Sequence, residues 1–309
     1  MSGVYLPENK VITPTVSVIM NCYNGGKYLR ESIESVLNQS YLDWELIFWD
    51  NLSSDNSAAI FSEYSADERL RYFCSPTHTN LGAARKLAYE ETRGKFIAFL
   101  DVDDFWSKEN LEKQIPLFDD ESVGFSCANY YIKNEINGTK VKAINKVLPS
   151  GHVLDDLLEN YFVGLLTLVV RRTALEEVGS INPRYHMIYD LDLAVKLSCG
   201  WALAVVQQPT ATYRIHGSNE TISQSDVNLA ELMIWRDEMK DHKEVGLSKT
   251  FFALDNRINR TRAVGFIFEG SRWKAILEIS KLSFSLDKVT LMVATMLPLL
   301  LLRKLMSLR

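Results

Sequence analysis

Phe96-Ile97-Ala98-Phe99-Leu100-Asp101-Val102-Asp103-Asp104 joins a run of five apolar residues to a cluster of three carboxylates. The apolar run reads as a strand buried on both faces, the habit of a central strand in a parallel sheet. In an open α/β sheet, ligands bind beyond the carboxyl ends of the strands. The carboxylates therefore stand where a site is expected. Asp101 and Asp103, two apart on extended chain, can both turn toward one cation, and hard oxygen ligands suit Mg²⁺ or Mn²⁺. An ion there would bridge a diphosphate and neutralise the charge that develops as it leaves. The competing reading is a solvated acidic turn, with Asp104 or Ser107 capping the next helix.

Two similar apolar runs precede this one, at residues 16–20 and at 44–49 (WELIFW). Between the runs, Leu29, Ile33, Val36 and Leu37 repeat at helical spacing, as do Ala84, Leu87 and Ala88. Strand alternating with helix predicts right-handed βαβ units and an α/β fold. Beyond Leu100 the pattern predicts a helix over 108–118, strands at 123–131 and 165–170, a helix over 190–198, and strands at 201–206 and 211–214. Past Ser225 the strand signals stop, and helices are expected over 229–239, 251–268 and 273–284. The expected organisation is a catalytic domain over residues 1–240 and a helical extension over 241–309.

Composition narrows the function classes. The 309 residues are 47% hydrophobic and 24% charged, as in an ordinary globular protein. The net charge of −5 offers no basic field, so nucleic acid is not expected as a partner. Cys22, Cys74, Cys127 and Cys199 form no CxxC pair, and their spacing suggests neither a zinc site nor a disulfide framework. Residues 1–14 lack the basic start and apolar run of a signal peptide, so the catalytic part is expected in the cytoplasm. Neither GxxxxGK[ST] nor GxGxxG is present, which argues against an ATPase or a dinucleotide enzyme.

Five segments in consistent order resemble the GT-A glycosyltransferases of family 2, a group of inverting transferases. Residues 16–24 (VSVIMNCYN) are similar to the family's first strand and donor loop. Residues 35–47 resemble its first helix and second strand, and Asp50-Asn51-Leu52-Ser53-Ser54-Asp55 its DxxSxD nucleotide turn. Asn80-Leu81-Gly82-Ala83-Ala84-Arg85 is similar to its NxGxxxAR helix start, one residue shorter. Residues 99–104 resemble its DxD segment. The likeness runs from residue 15 to about 220. It implies a GT-A fold, Rossmann-like with a mostly parallel central sheet, followed here by a C-terminal helical extension. It also implies a nucleotide-sugar donor, a saccharide or polyprenyl-linked acceptor, and a part in surface polysaccharide synthesis. The chain departs from the pattern at Asn51 and Leu52, where acidic residues or glycine are usual, and at Tyr189-Asp190, where Glu-Asp is usual.

Chemistry assigns provisional roles within that frame. Asn21, Tyr23 and Asn24 are placed to contact the base or ribose, or to form a simple turn with Gly25. Asp50 can accept from a base N–H, or cap the following helix. Arg85 either reaches a phosphate or holds the acidic cluster. Arg214 and His216 follow a short strand, and the resemblance places such an Arg-x-His segment near the diphosphate: Arg214 as a two-pronged phosphate clamp, His216 as a metal ligand beside Asp101 and Asp103. The acceptor hydroxyl must lose a proton, and Asp190 is the candidate base, its pKa raised by Asp192 and partial burial. One base and direct displacement would invert the anomeric configuration. The competing role for Asp190 is a helix N-cap.

Residues 289–302 (VTLMVATMLPLLLL) are followed by Arg303, Lys304 and Arg309. Fourteen residues are too few to span a bilayer, and Pro298 interrupts them. An interfacial helix with basic anchors fits, which predicts peripheral contact of residues 289–309 with the inner face of the plasma membrane. The alternative is a helix packed on the catalytic domain. Two rival functions stay open: a sugar nucleotidyltransferase, and a non-catalytic nucleotide-sugar or carbohydrate-binding protein on the same fold.

Overall fold

The computed structural model describes residues 13–297. In chain order the elements are β1 (Val16–Cys22), α1 (Leu29–Leu37), β2 (Trp44–Asp50), α2 (Ser57–Ser62), β3 (Leu70–Cys74), α3 (Leu81–Glu90), β4 (Phe96–Phe99) and β5 (Phe105–Trp106). There follow α4 (Asn110–Gln114), β6 (Val123–Asn134), β7 (Lys140–Lys142), α5 (Leu154–Glu159), β8 (Val169–Arg171), α6 (Arg172–Glu177), α7 (Tyr189–Gly200) and β9 (Ala202–Ile215). The rest of the described chain is helical: α8 (Glu220–Ser223), α9 (Ser225–Met239), α10 (Phe252–Phe268), α11 (Arg272–Lys281) and α12 (Leu286–Met296).

The strands form one mixed sheet in the order β3-β2-β1-β4-β8-β6-β9-β5, with β7 on β6. β3, β2, β1 and β4 are mutually parallel, and β4 meets β8 antiparallel. All seven residues of β1 and of β2 are buried, because helices cover both faces. Alternate side chains supply two cores. Ile19, Ile47, Ile97 and Phe99 join one, and Val18, Leu46, Phe48 and Ala98 the other. The fold class, GT-A-like with helices at the C-terminal end, is the expected one.

Several elements differ from the sequence reading, each for a local reason. The helix expected over 108–118 ends at Gln114, and Pro116 turns the chain into a 3-10 segment, Ile115–Asp119. The strand expected at 165–170 is a 3-10 turn, Leu165–Thr167, followed by β8. The two strands expected between 201 and 214 are one, β9, whose register against β6 shifts around Asn129 opposite Pro209. β3 has no signature in the sequence because Arg71, Tyr72, Phe73 and Cys74 are not fully buried, so it carries no apolar run. The helix expected over 273–284 stops at Lys281.

The main core continues through Leu232, Trp235 and Met239 of α9 to Phe251, Leu254 and Ile258. A separate small core of Ala263, Ile267, Ala275, Ile279, Leu282 and Leu291 joins α10, α11 and α12. Within the expected tail, residues 298–309 lie outside the described residues.

Candidate active site

β1 is flanked by β2 on one side and β4 on the other, so the strand order reverses there and leaves a crevice at the carboxyl ends. A cavity of about 1110 Å³ opens at that point. Asn21, Tyr23, Asn24, Asp101, Asp103, Tyr189, Asp190 and His216 all line it.

The loop after β1 is fixed from two sides. Asn24 sits at φ 54°, and its Oδ1 accepts the backbone N–H of Ser54 at 2.8 Å and of Asp55 at 3.2 Å. Asparagine tolerates that conformation better than most residues. Gly25 presses on the acidic segment: a Cβ there would lie 2.5 Å from Val102 Cγ2. The absence of a side chain thus brings the donor loop against the DxD turn. Tyr23 is half exposed, and its ring lies 4.1 Å from that of His78, centroid to centroid.

The three carboxylates after β4 divide their work. Asp101 meets the fully buried Arg85 of α3, Nη2 to Oδ1 at 2.5 Å. Burial opposes the charge on Arg85, but Asp101 and Tyr189 beside it hold the pKa above its ordinary value. Asp103 lies 3.0 Å from His216 Nε2. Burial, and then the charge of Asp101, push the Asp103 carboxyl up. Asp104 turns into the body, where its Oδ1 accepts the Arg214 backbone N–H at 2.8 Å. Burial raises Asp104 well above the usual carboxylate range. Asp101, Asp103 and His216 line one cavity, with the imidazole against Asp103, but their three donor atoms are not all within 4.8 Å of one another. They form an oxygen-rich set with one imidazole, and two like charges whose repulsion a cation would relieve.

Other expected donor contacts stand behind the wall. Asp50 is buried; its Oδ1 accepts Ser53 N–H at 2.7 Å and its Oδ2 the Tyr72 hydroxyl at 2.8 Å. Its neighbour Asn51 lines the cavity instead. Asp50 does not cap α2, whose N-cap is Asn56. Arg214 places Nη1 2.7 Å from Glu135 and Nη2 2.6 Å from Glu31, and its Nε donates to the Asp103 carbonyl at 2.8 Å. Its guanidinium braces the acidic turn and is already occupied by two carboxylates.

Asp190 stands in the first turn of α7 and lines the same cavity. Its Oδ2 accepts the Tyr161 hydroxyl at 3.1 Å, and its Oδ1 the Leu191 N–H at 2.8 Å. Burial pushes its carboxyl up from the ordinary range, while these two hydrogen bonds hold it down. The expected influence of Asp192 is replaced by burial itself. Asp192 points away, accepting Lys196 Nζ and Trp235 Nε1, each at 2.8 Å. Tyr189, which departs from the resemblance, is buried with the Arg85 guanidinium 4.9 Å from its ring centre.

Tyr161, His186 and Arg257 also line the cavity and were not found from sequence. Tyr161 follows α5, His186 precedes α7, and Arg257 lies on α10, so only the fold brings them together. His186 Nδ1 accepts the Leu81 N–H at 3.0 Å, at the start of α3. Burial lowers the Arg257 pKa, against the charges of Tyr161 and Asp190.

Residues 17–179 match the model of glycosyl transferase family 2. The chain belongs to that family. Among relatives of this family-2 chain, TuaG of Bacillus subtilis (strain 168), named for teichuronic acid biosynthesis, is 32% identical over 206 residues, covering 65% of this chain and 79% of that one. WfgD of Escherichia coli, a UDP-Glc:alpha-D-GlcNAc-diphosphoundecaprenol beta-1,3-glucosyltransferase, is 38% identical over 160 residues, 52% of this chain and 61% of that one. In structure, the family-2 chain is similar to S. aureus TarS residues 1–349 in complex with UDP-GlcNAc, with a TM-score of 0.68 at 19% identity, covering 87% of this chain and 82% of that one. It is also similar to a Pyrobaculum calidifontis mannosyltransferase in complex with GDP-Man and Mn²⁺, with a TM-score of 0.60 at 15% identity, covering 92% and 79%. These likenesses establish the fold.

Proposed function

We propose that this family-2 glycosyltransferase moves a sugar from a nucleotide-diphosphate sugar to a saccharide or polyprenyl-linked acceptor in surface polysaccharide synthesis, with Mg²⁺ or Mn²⁺ and with inversion. One observation carries the reading: a single cavity is lined both by Asp101, Asp103 and His216 and by the Tyr161-held Asp190. The names of TuaG and WfgD support the acceptor class.

The chain's own groups would act as follows. Asn21, Tyr23, Asn24 and Asn51 bound the end of the cavity suited to the nucleotide. Asp101 and Asp103, with His216, would hold the ion, and Arg85 keeps Asp101 in place. When bound, the ion offsets the charge gathering on the departing diphosphate. Asp190 takes the proton of the acceptor hydroxyl as its oxygen attacks the anomeric carbon from the face opposite the diphosphate. Its pKa, raised by burial, makes it a stronger base than a free carboxylate. Asp50 and Arg214 serve this site by positioning, through Ser53 and through the acidic turn. The reading includes peripheral contact of residues 289–309 with the inner face of the plasma membrane. Among the described residues, no helix is long and apolar enough to cross a membrane.

The test is a panel of nucleotide sugars, each scored for thermal stabilisation with and without Mn²⁺ and for release of nucleoside diphosphate. The proposal expects one sugar nucleotide to raise the melting temperature in Mn²⁺, since ligand bound to the native state stabilises it, and to be turned over. Binding without turnover in the presence of any polyprenyl-linked or saccharide acceptor would favour the non-catalytic alternative.

A further inference from the structure

A second cavity, of about 390 Å³, shares no lining residue with the first. Cys199, next to last in α7, lies on its wall with Glu177, Lys196 and Trp201. His242 and Glu244 reach it from the loop between α9 and α10. One donor atom each from the Cys199 thiol, the His242 imidazole and the Glu244 carboxylate lies within 4.8 Å of the other two. Neither the family reading nor the sugar-transfer chemistry uses any of the three.

The donor set differs in kind from that of the active-site crevice. Asp101 and Asp103 are hard oxygen ligands, whereas a thiolate, an imidazole and a carboxylate together select zinc-class ions over magnesium or calcium. Three side chains leave a fourth position for water or for Glu177. A tetrahedral ion with bonds of about 2.0–2.3 Å holds its ligand atoms roughly 3.3–3.8 Å apart. Closing on an ion therefore takes a shift of at most about 1.5 Å, which Glu244 can make because it is exposed.

The loop already holds His242 in place. Val245 is fully buried, and the Gly246 N–H donates to the His242 carbonyl at 2.9 Å. A Cβ on Gly246 would lie 2.0 Å from the Lys240 carbonyl oxygen, so the tight turn depends on glycine. His242 Nδ1 faces the N–H groups of Glu244 and Val245 at 3.4 Å each, long contacts that leave the ring little to lose on turning. The Lys196 ammonium is drawn to Asp192 at 2.8 Å, which answers its charge beside the cavity.

We propose that Cys199, His242 and Glu244 form a zinc-class metal site that fastens the α9–α10 loop to the end of α7. The thiol would give up its proton on ligation. Because α7 begins at the residue before Asp190, the clip would steady the far end of the helix that presents the base.

Metal-stripped full-length protein, kept reduced with a phosphine, is titrated with Co²⁺ and followed by absorption. The expected result is a thiolate-to-cobalt charge-transfer band that saturates at one ion per chain. Cys199→Ser should abolish it, and His242→Ala or Glu244→Ala should weaken the ion by about tenfold or more, since even groups behind the ligands are worth that much. Asp103→Ala should leave the band unchanged, which separates this site from the crevice and makes the result independent of the sugar-transfer reading. Absence of the band in the wild type overturns the proposal. So does an equal band in Cys199→Ser, which would place the thiolate at another cysteine. Should Cys199→Ser fail to fold, His242→Ala on the surface loop decides: an unaltered titration there overturns the site, and a weakened one upholds it.

Discussion

Asp190 and Asp192 stand two positions apart on α7, and their surroundings give them different work. Asp190 faces the cavity beside Tyr161, whereas Asp192 is sealed against Lys196 and Trp235. Asp190→Asn preserves size and hydrogen bonding but takes no proton. It is expected to keep donor affinity and to lose about 10²-fold or more in rate, the range a general base supplies. Asp192→Asn should lower the melting temperature and leave the rate of the folded enzyme near normal. A steady-state assay beside a thermal melt checks both, and the reverse pattern would exchange the roles. The pH profile adds a signed expectation. Burial raises the Asp190 pKa, and the Tyr161 hydrogen bond favours the charged form and pulls it back down. Tyr161→Phe should therefore move the acidic limb of kcat/KM to higher pH, because the base then needs a higher pH to ionise. A limb that stays in place or moves to lower pH would separate Tyr161 from the base.

At the scale of elements, α7 is fastened to α9 by the hydrogen bond from Trp235 Nε1 to Asp192. Trp235 is fully buried. Trp235→Phe leaves most of the packing but strands one carboxylate oxygen, at an expected cost of about 1–3 kcal/mol. Chemical denaturation measures it, and a loss below a few tenths would remove the bond from the account. The same elements show where the sequence was legible. Central strands were, because β1, β2 and β4 are apolar on both faces and cannot be mistaken for helix faces. The site segments on those strands were legible too, since strand ends and carboxylates are adjacent in the chain. β3 was not, because its exposed face breaks the pattern, and neither was the split of α4 from its 3-10 continuation. Orientation was also hidden. Asp50 and Arg214 carry the right groups at the right strand ends, yet each finds protein partners first, and no spacing announces Tyr72, Glu31 or Glu135. Tyr161 and Arg257 come from distant segments whose only link to Asp190 is tertiary.

On the scale of the whole molecule, charge is unevenly placed. Residues 272–309 hold seven basic residues, Arg272, Lys274, Lys281, Lys288, Arg303, Lys304 and Arg309, against two acidic ones, Glu278 and Asp287, in a chain of net charge −5. Trp273, Phe284, Leu286 and Met296 are exposed on or beside α11 and α12. Each basic group near an anionic bilayer is worth about 1 kcal/mol, so the full chain is expected to float with anionic liposomes, and a form ending at residue 288, which loses the apolar run 289–302 with Arg303, Lys304 and Arg309, to float much less. Loss of solubility on truncation, with no flotation of the full chain, would instead make the tail part of the core. The crevice, at the other functional extreme, makes one demand that a single assay can test. Release of nucleoside diphosphate from a saturating nucleotide sugar is measured with Mn²⁺ and with EDTA, for the wild type and for Asp103→Ala. The account predicts turnover by the wild type in Mn²⁺ alone and none by Asp103→Ala under either condition. Equal turnover by Asp103→Ala, or by the wild type in EDTA, would contradict it.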